Sequence, residues 1–391
     1  MSRFHSYLTS STKLIASYKP GSPLSYHLKK YFAEHKKFGS KDRKIVSSLC
    51  YDYFRCALFL DKIFSIDQSI LHAVFLCQQK EHDMLKELHP ELNSRIHLPL
   101  EEKLSYLNLD SKKLFAYQEE LSPEIDASSY AASFFKQPSL FLRIRPHRKK
   151  VVVEALQKAS IVFEEIGEDV FKCSNSAGLD KALRINKDAV IQDFNSQRVF
   201  DFFKDIPLNT ENEIYTVWDT CAASGGKSIL LHDRLKGKIR LTVSDIRPNI
   251  LANLTQRLQQ SRVDIFKKFT RNLSVSSGLE KQEKFSIIIC DVPCSGSGTW
   301  GRTPEQYFSF DKNDLPSFVK KQQSIVSNVI PHVETNGLFF YITCSVFKAE
   351  NEEMVKFIES HSALKLVRTN YLKGYACDAD TMFVAVFQLI A

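Results

Sequence analysis

Two cysteines stand where this chain can do nucleophilic chemistry. Cys294 lies in the run Asp291-Val292-Pro293-Cys294-Ser295-Gly296-Ser297-Gly298, and Cys344 in Tyr341-Ile342-Thr343-Cys344-Ser345; each follows an apolar, strand-like segment. No C-x-x-C or similar ligand spacing accompanies either one, so no metal is expected at them. Their neighbours Pro293, Ser295, Thr343 and Ser345 are small or polar, as in exposed turns rather than in a core. Few reactions need two separate thiols at the mouth of one parallel sheet, and the pair reads as an active site. The remaining thiols read differently. Cys50, Cys56, Cys77 and Cys290 sit within apolar patterns, as small buried hydrophobes. A total of nine cysteines without a regular framework points to free thiols in a reducing compartment.

A second constellation suits a cofactor. Asp219-Thr220-Cys221-Ala222-Ala223-Ser224-Gly225-Gly226-Lys227 follows one predicted strand and runs into a helix. Small residues and paired glycines bring backbone amides close to a ligand at the helix start. Asp245 ends the next strand, where an acid can accept hydrogen bonds from ribose hydroxyls. The loop has neither the G-x-G-x-x-G spacing of dinucleotide folds nor G-x-x-x-x-G-K-[ST], which favours S-adenosylmethionine over a nicotinamide or a nucleoside triphosphate. Asp291 ends the fourth predicted strand, so Asp219, Asp245, Asp291 and Cys344 are expected to face one crevice outside the strand ends.

The elements that must position these groups alternate from residue 196 onward. Strands are expected at Tyr215 to Asp219, Arg240 to Asp245, Ile265 to Phe269, Ser286 to Asp291, Leu338 to Thr343 and Met382 to Leu389, with helices between them. The last strand is expected near a sheet edge. That alternation predicts an α/β domain with a mainly parallel sheet covered on both faces. Residues 129–195 read as a small α/β module and residues 1–128 as helical, with apolar stripes at Leu24, Leu28, Tyr31 and Phe32 and at Ile45, Leu49, Tyr53 and Cys56. With no signal-like or membrane-length apolar run, the reading is a cytoplasmic protein, and a monomer is expected. Basic residues are concentrated: residues 1–44 carry a local charge of +8 and residues 131–153 of +6, against +8 for the whole 391-residue chain. Clustered cations on an otherwise acidic chain point to a polyanionic partner.

These motifs resemble the RsmB/Sun family of RNA cytosine-5 methyltransferases over nearly the whole chain. The matching pieces are DTCAASGGKS (219–228), Ile191-Gln192-Asp193 with Gln197, DVPCSGSGT (291–299) with Arg302, Pro304 and Glu305, YITCS (341–345), and Glu350-Asn351-Glu352. Upstream, Phe38-Gly39-Ser40-Lys41-Asp42-Arg43 and Leu49-Cys50-Tyr51 are similar to the helical NusB-like domain of bacterial rRNA members. The resemblance implies a Rossmann-like class I methyltransferase domain at 196–391, behind a small RNA-binding α/β module and an all-α NusB-like RNA-binding domain. It implies S-adenosylmethionine held by Cys221, Ala222, Ala223, Ser224, Gly225, Gly226, Lys227, Asp245, Asn272 and Asp291. It also assigns roles: Cys344 attacks carbon 6 of cytosine, Asp291 supports the N3/N4 edge of the ring, and Cys294 releases the product after transfer.

The sequence departs from the family pattern at three places. Ser224 replaces a proline, Asn272 stands where an aspartate contacts the adenine, and Gly301 replaces one of two arginines. The expected RNA contacts are Arg143, Arg145, Arg148, Lys149 and Arg302, with Tyr307 or Phe308 stacking on bases. Small-subunit rRNA is the expected substrate; tRNA and a non-catalytic assembly role stand as alternatives. DNA and protein substrates are disfavoured by the helical N-terminal region and by a nucleophile in the Thr-Cys-Ser rather than the Pro-Cys motif.

Overall fold

The computed structural model describes residues 2–175, 178–204 and 214–390. They form two compact units that cross over in sequence. One comprises the chain up to Leu121, Ile125–Gln137 and Thr299–Lys312; the other comprises Ser122–Glu124, Pro138–Gly298 and everything from Asn313.

The first unit is helical. Its main helices are Arg3–Ser17, Leu24–Glu34, Ser40–Leu60 and Ile66–Cys77. Ser2 caps the first of them, accepting from His5 N. Gly39 rather than Ser40 caps the third, its amide bonded to Asp42 Oδ2 at 2.8 Å. The expected stripes are buried at Leu24, Leu28, Phe32, Leu49, Tyr53 and Cys56, while Ile45 and Tyr31 are only half-buried. The segment Thr299–Lys312 completes this unit. Tyr307 packs against both Phe115 and Phe134, with ring centroids 5.6 and 5.0 Å away and the planes nearly parallel. Its hydroxyl donates to Leu114 O and accepts from Ala116 N, both at 3.0 Å. An aromatic ring buried with its polar tip satisfied stabilises by about 1.5–3 kcal/mol.

In the second unit, strands β1 (Leu140–Ile144), β2 (Phe163–Gly167), β3 (Val170–Cys173) and β4 (Ala189–Ile191) form an antiparallel sheet in the order β2-β3-β1-β4. The helix Lys149–Lys158 packs on it through Val152 and Leu156. The larger sheet is built from β5 (Tyr215–Asp219), β6 (Ile239–Asp245), β7 (Ile265–Thr270), β8 (Phe285–Asp291), β9 (Val333–Thr343), β10 (Leu364–Leu372) and β11 (Met382–Leu389). Their order is β10-β11-β9-β8-β5-β6-β7. Strands β9, β8, β5, β6 and β7 are parallel, and β11 runs antiparallel between β9 and β10. This is the mainly parallel, Rossmann-like sheet that the resemblance implies for residues 196–391. Its central strands read as continuous apolar runs because both faces are covered: Ile287, Ile288, Ile289 and Cys290 are fully buried. The chain reverses direction across the sheet between β5 and β8. The carboxyl ends of those strands therefore open onto a crevice suited to a ligand.

Candidate active site

Strands β8 and β9 pair in parallel, with Cys290 opposite Tyr341 and Asp291 opposite Ile342. The loops that follow them therefore leave the sheet side by side, and Cys294 Sγ lies 3.3 Å from Cys344 Sγ. Residues fifty positions apart are joined because two adjacent strands end at the same level.

A buried carboxylate holds the two loops together. Glu350 is fully buried. It accepts from Ser295 N at 2.9 Å and Ser295 Oγ at 2.5 Å, from Ser345 Oγ at 2.5 Å, and from Gln322 Nε2 at 2.9 Å. Ser295 follows one cysteine and Ser345 follows the other, so one side chain fixes both. Gln322 sits in the apolar stripe of the helix Leu315–Val329, and it also donates to Pro293 O at 3.1 Å. Tyr341 OH donates to Glu350 O at 2.7 Å, and Asn351 Nδ2 to Ser345 O at 2.9 Å. Gly298 N donates to Cys344 O at 2.8 Å, closing the Pro-Cys loop onto the second thiol. The sequence marks Glu350 only as part of a motif. Its position in the space between two loops carries no local signal.

The hydrogen bond to Cys344, then burial, then the neighbouring Glu350 carboxylate raise the Cys294 pKa well above the ordinary thiol value. Cys294 therefore keeps its proton at neutral pH. Beside the pair, Lys227 Nζ lies 2.5 Å from Asp291 Oδ2. Burial opposes the ammonium charge, but Asp291 outweighs it and the Lys227 pKa is raised, so the lysine stays cationic within electrostatic reach of Cys344.

At the cofactor end, Ala223 and Gly225 adopt left-handed backbone with φ of 46° and 78°. Gly225 is required, because a Cβ there would also meet Leu254 at 3.3 Å. Asp245 accepts from Ala223 N at 3.1 Å and from the Arg247 amide and guanidinium at 2.9–3.0 Å. Burial raises its pKa, but the Arg247 bonds win and the carboxyl is held below its usual range, as an ionised acceptor. Asp219 differs from expectation. It is 1% exposed, accepts from Ser228 Oγ at 2.6 Å, and burial pushes its pKa up to about 7. It braces the helix start rather than facing the crevice. Cys221 is likewise pushed well up by burial.

The sequence departures acquire partners. Ser224 Oγ accepts from Arg257 Nη1 at 2.7 Å, a brace that proline lacks. Asn272 Oδ1 is taken by Ser274, from its amide at 3.2 Å and its hydroxyl at 2.7 Å, which leaves the Asn272 amide hydrogens for a ligand. A donor there suits an adenine ring nitrogen rather than the exocyclic amine. Gly301 O accepts from Arg55 Nη1 at 2.7 Å.

The expected RNA surface needs correction. Arg143 and Arg145 are 5% and 8% exposed and share Asp233, at 2.5 and 2.8 Å. Arg145 also donates to Asn186 O and Ser261 O, and Arg143 to Gln192 Oε1. Asp233, from the helix Gly226–Arg234, meets both guanidiniums on the face of the strand opposite Leu142 and Ile144, and their desolvation there requires that they be paired. Arg148 pairs with Asp188 at 3.7 Å and Lys149 with Glu165. Tyr307, expected to stack on a base, is enclosed in its aromatic cluster; Phe308 is half-buried against Phe54. Arg302 is half-buried in the segment that completes the helical unit.

Among the described residues, no group of three or more His, Cys, Asp or Glu is arranged as for a metal ion. None of the described helices is long and apolar enough to cross a membrane.

Several known proteins are similar to this chain. The solved structure of PH0851 superposes with a TM-score of 0.69 at 16% identity, covering 99% of both chains. NSun6 from Pyrococcus horikoshii, solved with SFG, superposes at 0.58 with 13% identity over 72% of this chain and 97% of its own. These likenesses concern the fold. A probable ribosomal RNA small subunit methyltransferase B of Bacillus subtilis (strain 168) is 29% identical over 147 residues, 37% of this chain and 33% of the relative. The ribosomal RNA small subunit methyltransferase B of Serratia proteamaculans (strain 568) is 25% identical over 265 residues, 65% of this chain and 57% of the relative. The chain thus spans a third to somewhat over half the length of these relatives. Residues 206–386, which carry both cysteine loops, the Lys227–Asp291 pair and the Gly225 turn, match the family model described as 16S rRNA methyltransferase RsmB/F. Over that domain the chain is similar to the RsmB/F methyltransferases.

Proposed function

We propose that the protein transfers a methyl group from S-adenosylmethionine to carbon 5 of a cytosine in RNA, with small-subunit rRNA as the substrate. The observation that carries this reading is the 3.3 Å approach of Cys294 and Cys344 beside the Lys227–Asp291 pair. Carbon 5 of cytosine is a poor nucleophile until a thiolate has added to carbon 6. Cys344 adds as its thiolate, N3 takes a proton from solvent as the displaced electron pair moves onto the ring, and the Asp291 carboxylate accepts a hydrogen bond from the resulting N3–H and N4 amine edge, leaving carbon 5 as the nucleophilic end of an enamine. After methylation Cys294, as its thiolate, takes the carbon-5 proton; the freed electron pair expels Cys344 from carbon 6 and restores the aromatic ring.

The donor set suits the cofactor. Asp245 is an ionised acceptor for ribose hydroxyls, with the half-exposed Arg247 as its present partner. Asn272 offers its amide to adenine, and the Cys221–Lys227 loop supplies the close backbone approach. When bound, the sulfonium supplies an electrophilic methyl group and a positive charge near the thiols. The names of the relatives favour small-subunit rRNA over tRNA, and the exposed cations Lys29, Lys30, Lys36, Lys37, Lys41 and Lys44 give the helical unit an RNA-binding role.

The thiol roles make an asymmetric test. Cys344→Ala is expected to abolish methylation and form no adduct. Cys294→Ala is expected to accumulate a covalent protein–RNA species, seen as a slow band on a denaturing gel; the opposite pattern refutes the assignment. Bisulfite sequencing of rRNA and tRNA from cells lacking the protein identifies the substrate by the cytosine that becomes unprotected.

A further inference from the structure

We propose that a basic pocket at the opposite end of the larger sheet from the thiols binds the phosphate backbone of the RNA, as a second, sequence-independent docking point. The inference rests on RNA being the substrate. The pocket has a volume of about 430 Å³. It forms where three loops meet: Pro146–Arg148 after β1, Lys236–Gly237 before β6, and Ser261–Arg262 before β7, with Lys187 alongside. These loops feed the amino ends of β6 and β7, whereas Asp245 and the thiols lie beyond carboxyl ends. A seven-residue strand such as β6 separates the two ends by roughly 20 Å at ~3.3 Å per residue.

The lining is unusually one-sided. Five Lys or Arg residues, Arg145, Arg148, Lys187, Lys236 and Arg262, share it with a single acid, Asp233. That acid is already taken by Arg143 and Arg145. Among the described residues, Lys187, Lys236 and Arg262 have no carboxylate partner. Lys236 and Arg262 each follow a helix, and a helix C-terminus favours one cation. That preference does not bring Lys187 and Arg148 to the same place from a different sheet. Gathering like charges in a concavity is unfavourable unless an anion offsets them. No Phe, Tyr or Trp lines the pocket, and its excess of cations equips it for phosphate contacts, which position a nucleic acid without reading its sequence.

The test is the double substitution Lys236→Gln and Arg262→Gln in the full chain, at two exposed positions that keep their length but lose their charge. The probe is deproteinised small-subunit rRNA, bound over a series of salt concentrations. The expected result is about tenfold weaker affinity near 0.1 M salt and a log K against log salt slope shallower by about 1.4, at ~0.7 per phosphate contact on single strands. S-adenosylmethionine affinity and the thermal midpoint are expected to stay unchanged, and KM for RNA to rise with little change in kcat. Unchanged affinity and slope, with wild type binding and methylating the RNA, overturn the pocket's role alone. A calorimetric pyrophosphate site that the substitutions abolish without altering the RNA slope assigns the pocket to small anions and also overturns it. Wild type that neither binds nor methylates RNA defeats the substrate reading and this inference with it.

Discussion

At the scale of single residues, the site depends on which thiol holds its proton. The hydrogen bond to Cys344, burial and Glu350 all keep Cys294 protonated at neutrality. If Cys294 must be a thiolate to take the carbon-5 proton, the competent fraction rises about tenfold per pH unit below its pKa. Decay of the covalent protein–RNA adduct, followed by gel after a pulse of cofactor, is therefore expected to accelerate between pH 7 and 9. A flat profile removes the proton-acceptor role. Glu350→Gln tests the same electrostatics. Losing the negative neighbour lowers the Cys294 pKa, so the decay profile is expected to move to lower pH. An amide group set against two serine hydroxyls should also cost about 1–3 kcal/mol, read as a fall in the thermal midpoint. A purely packing role for Glu350 predicts the fall in stability without the pH displacement.

At the scale of elements, the two loops need a close approach that only glycine permits. A Cβ on Gly298 would stand 2.0 Å from Thr381 O and 3.0 Å from Cys344 O, both backbone atoms. Gly298 N and O are also both engaged, to Cys344 O and from Thr381 N at 2.8 Å each. Gly298→Ala is expected to push the Pro-Cys loop off the end of β9 and lower methylation by at least 100-fold. Cofactor binding at the separate Cys221–Lys227 loop should persist, as equilibrium binding would show; full methylation by the variant would mean that the loop spacing is immaterial. The sheet edge offers a contrast. β10 has no clear strand pattern in the sequence because an edge strand is half solvated: Lys365, Arg368, Thr369 and Asn370 interrupt its apolar positions. The final strand, expected near the edge, pairs with β9 on one side and β10 on the other.

At the scale of the whole molecule, the chain returns to its helical unit immediately after the Pro-Cys loop. Residues Thr299–Lys312 bring Trp300 and Tyr307, both at or below 1% exposure, into a cluster with Phe115, Tyr117 and Phe134. A fragment beginning at Pro138 would keep those rings and lose their partners. It is expected to aggregate on expression, whereas Trp300→Ala and Tyr307→Ala in the full chain should each lower stability by about 3–5 kcal/mol in denaturant unfolding. A soluble, monodisperse fragment by size-exclusion chromatography would show that the aromatic segment is not integral to the fold.

The sequence by itself determined the alternating architecture, the two cysteine loops, the Gly-rich turn and the acids at strand ends, because each is written in local patterns of apolar periodicity and turn chemistry. Only the tertiary structure decided what those groups touch. Cys294 and Cys344 meet because β8 and β9 are neighbours in register, and Glu350 reaches both loops across a gap no spacing rule describes. Arg143 and Arg145 read as a basic surface, yet packing against Asp233 buries them. Among the described residues, the pocket cations without a carboxylate partner are Lys187, Lys236 and Arg262, drawn from separate loops. Charge is local in sequence, but exposure and pairing are properties of the folded chain, set by which strands lie side by side and which faces they cover.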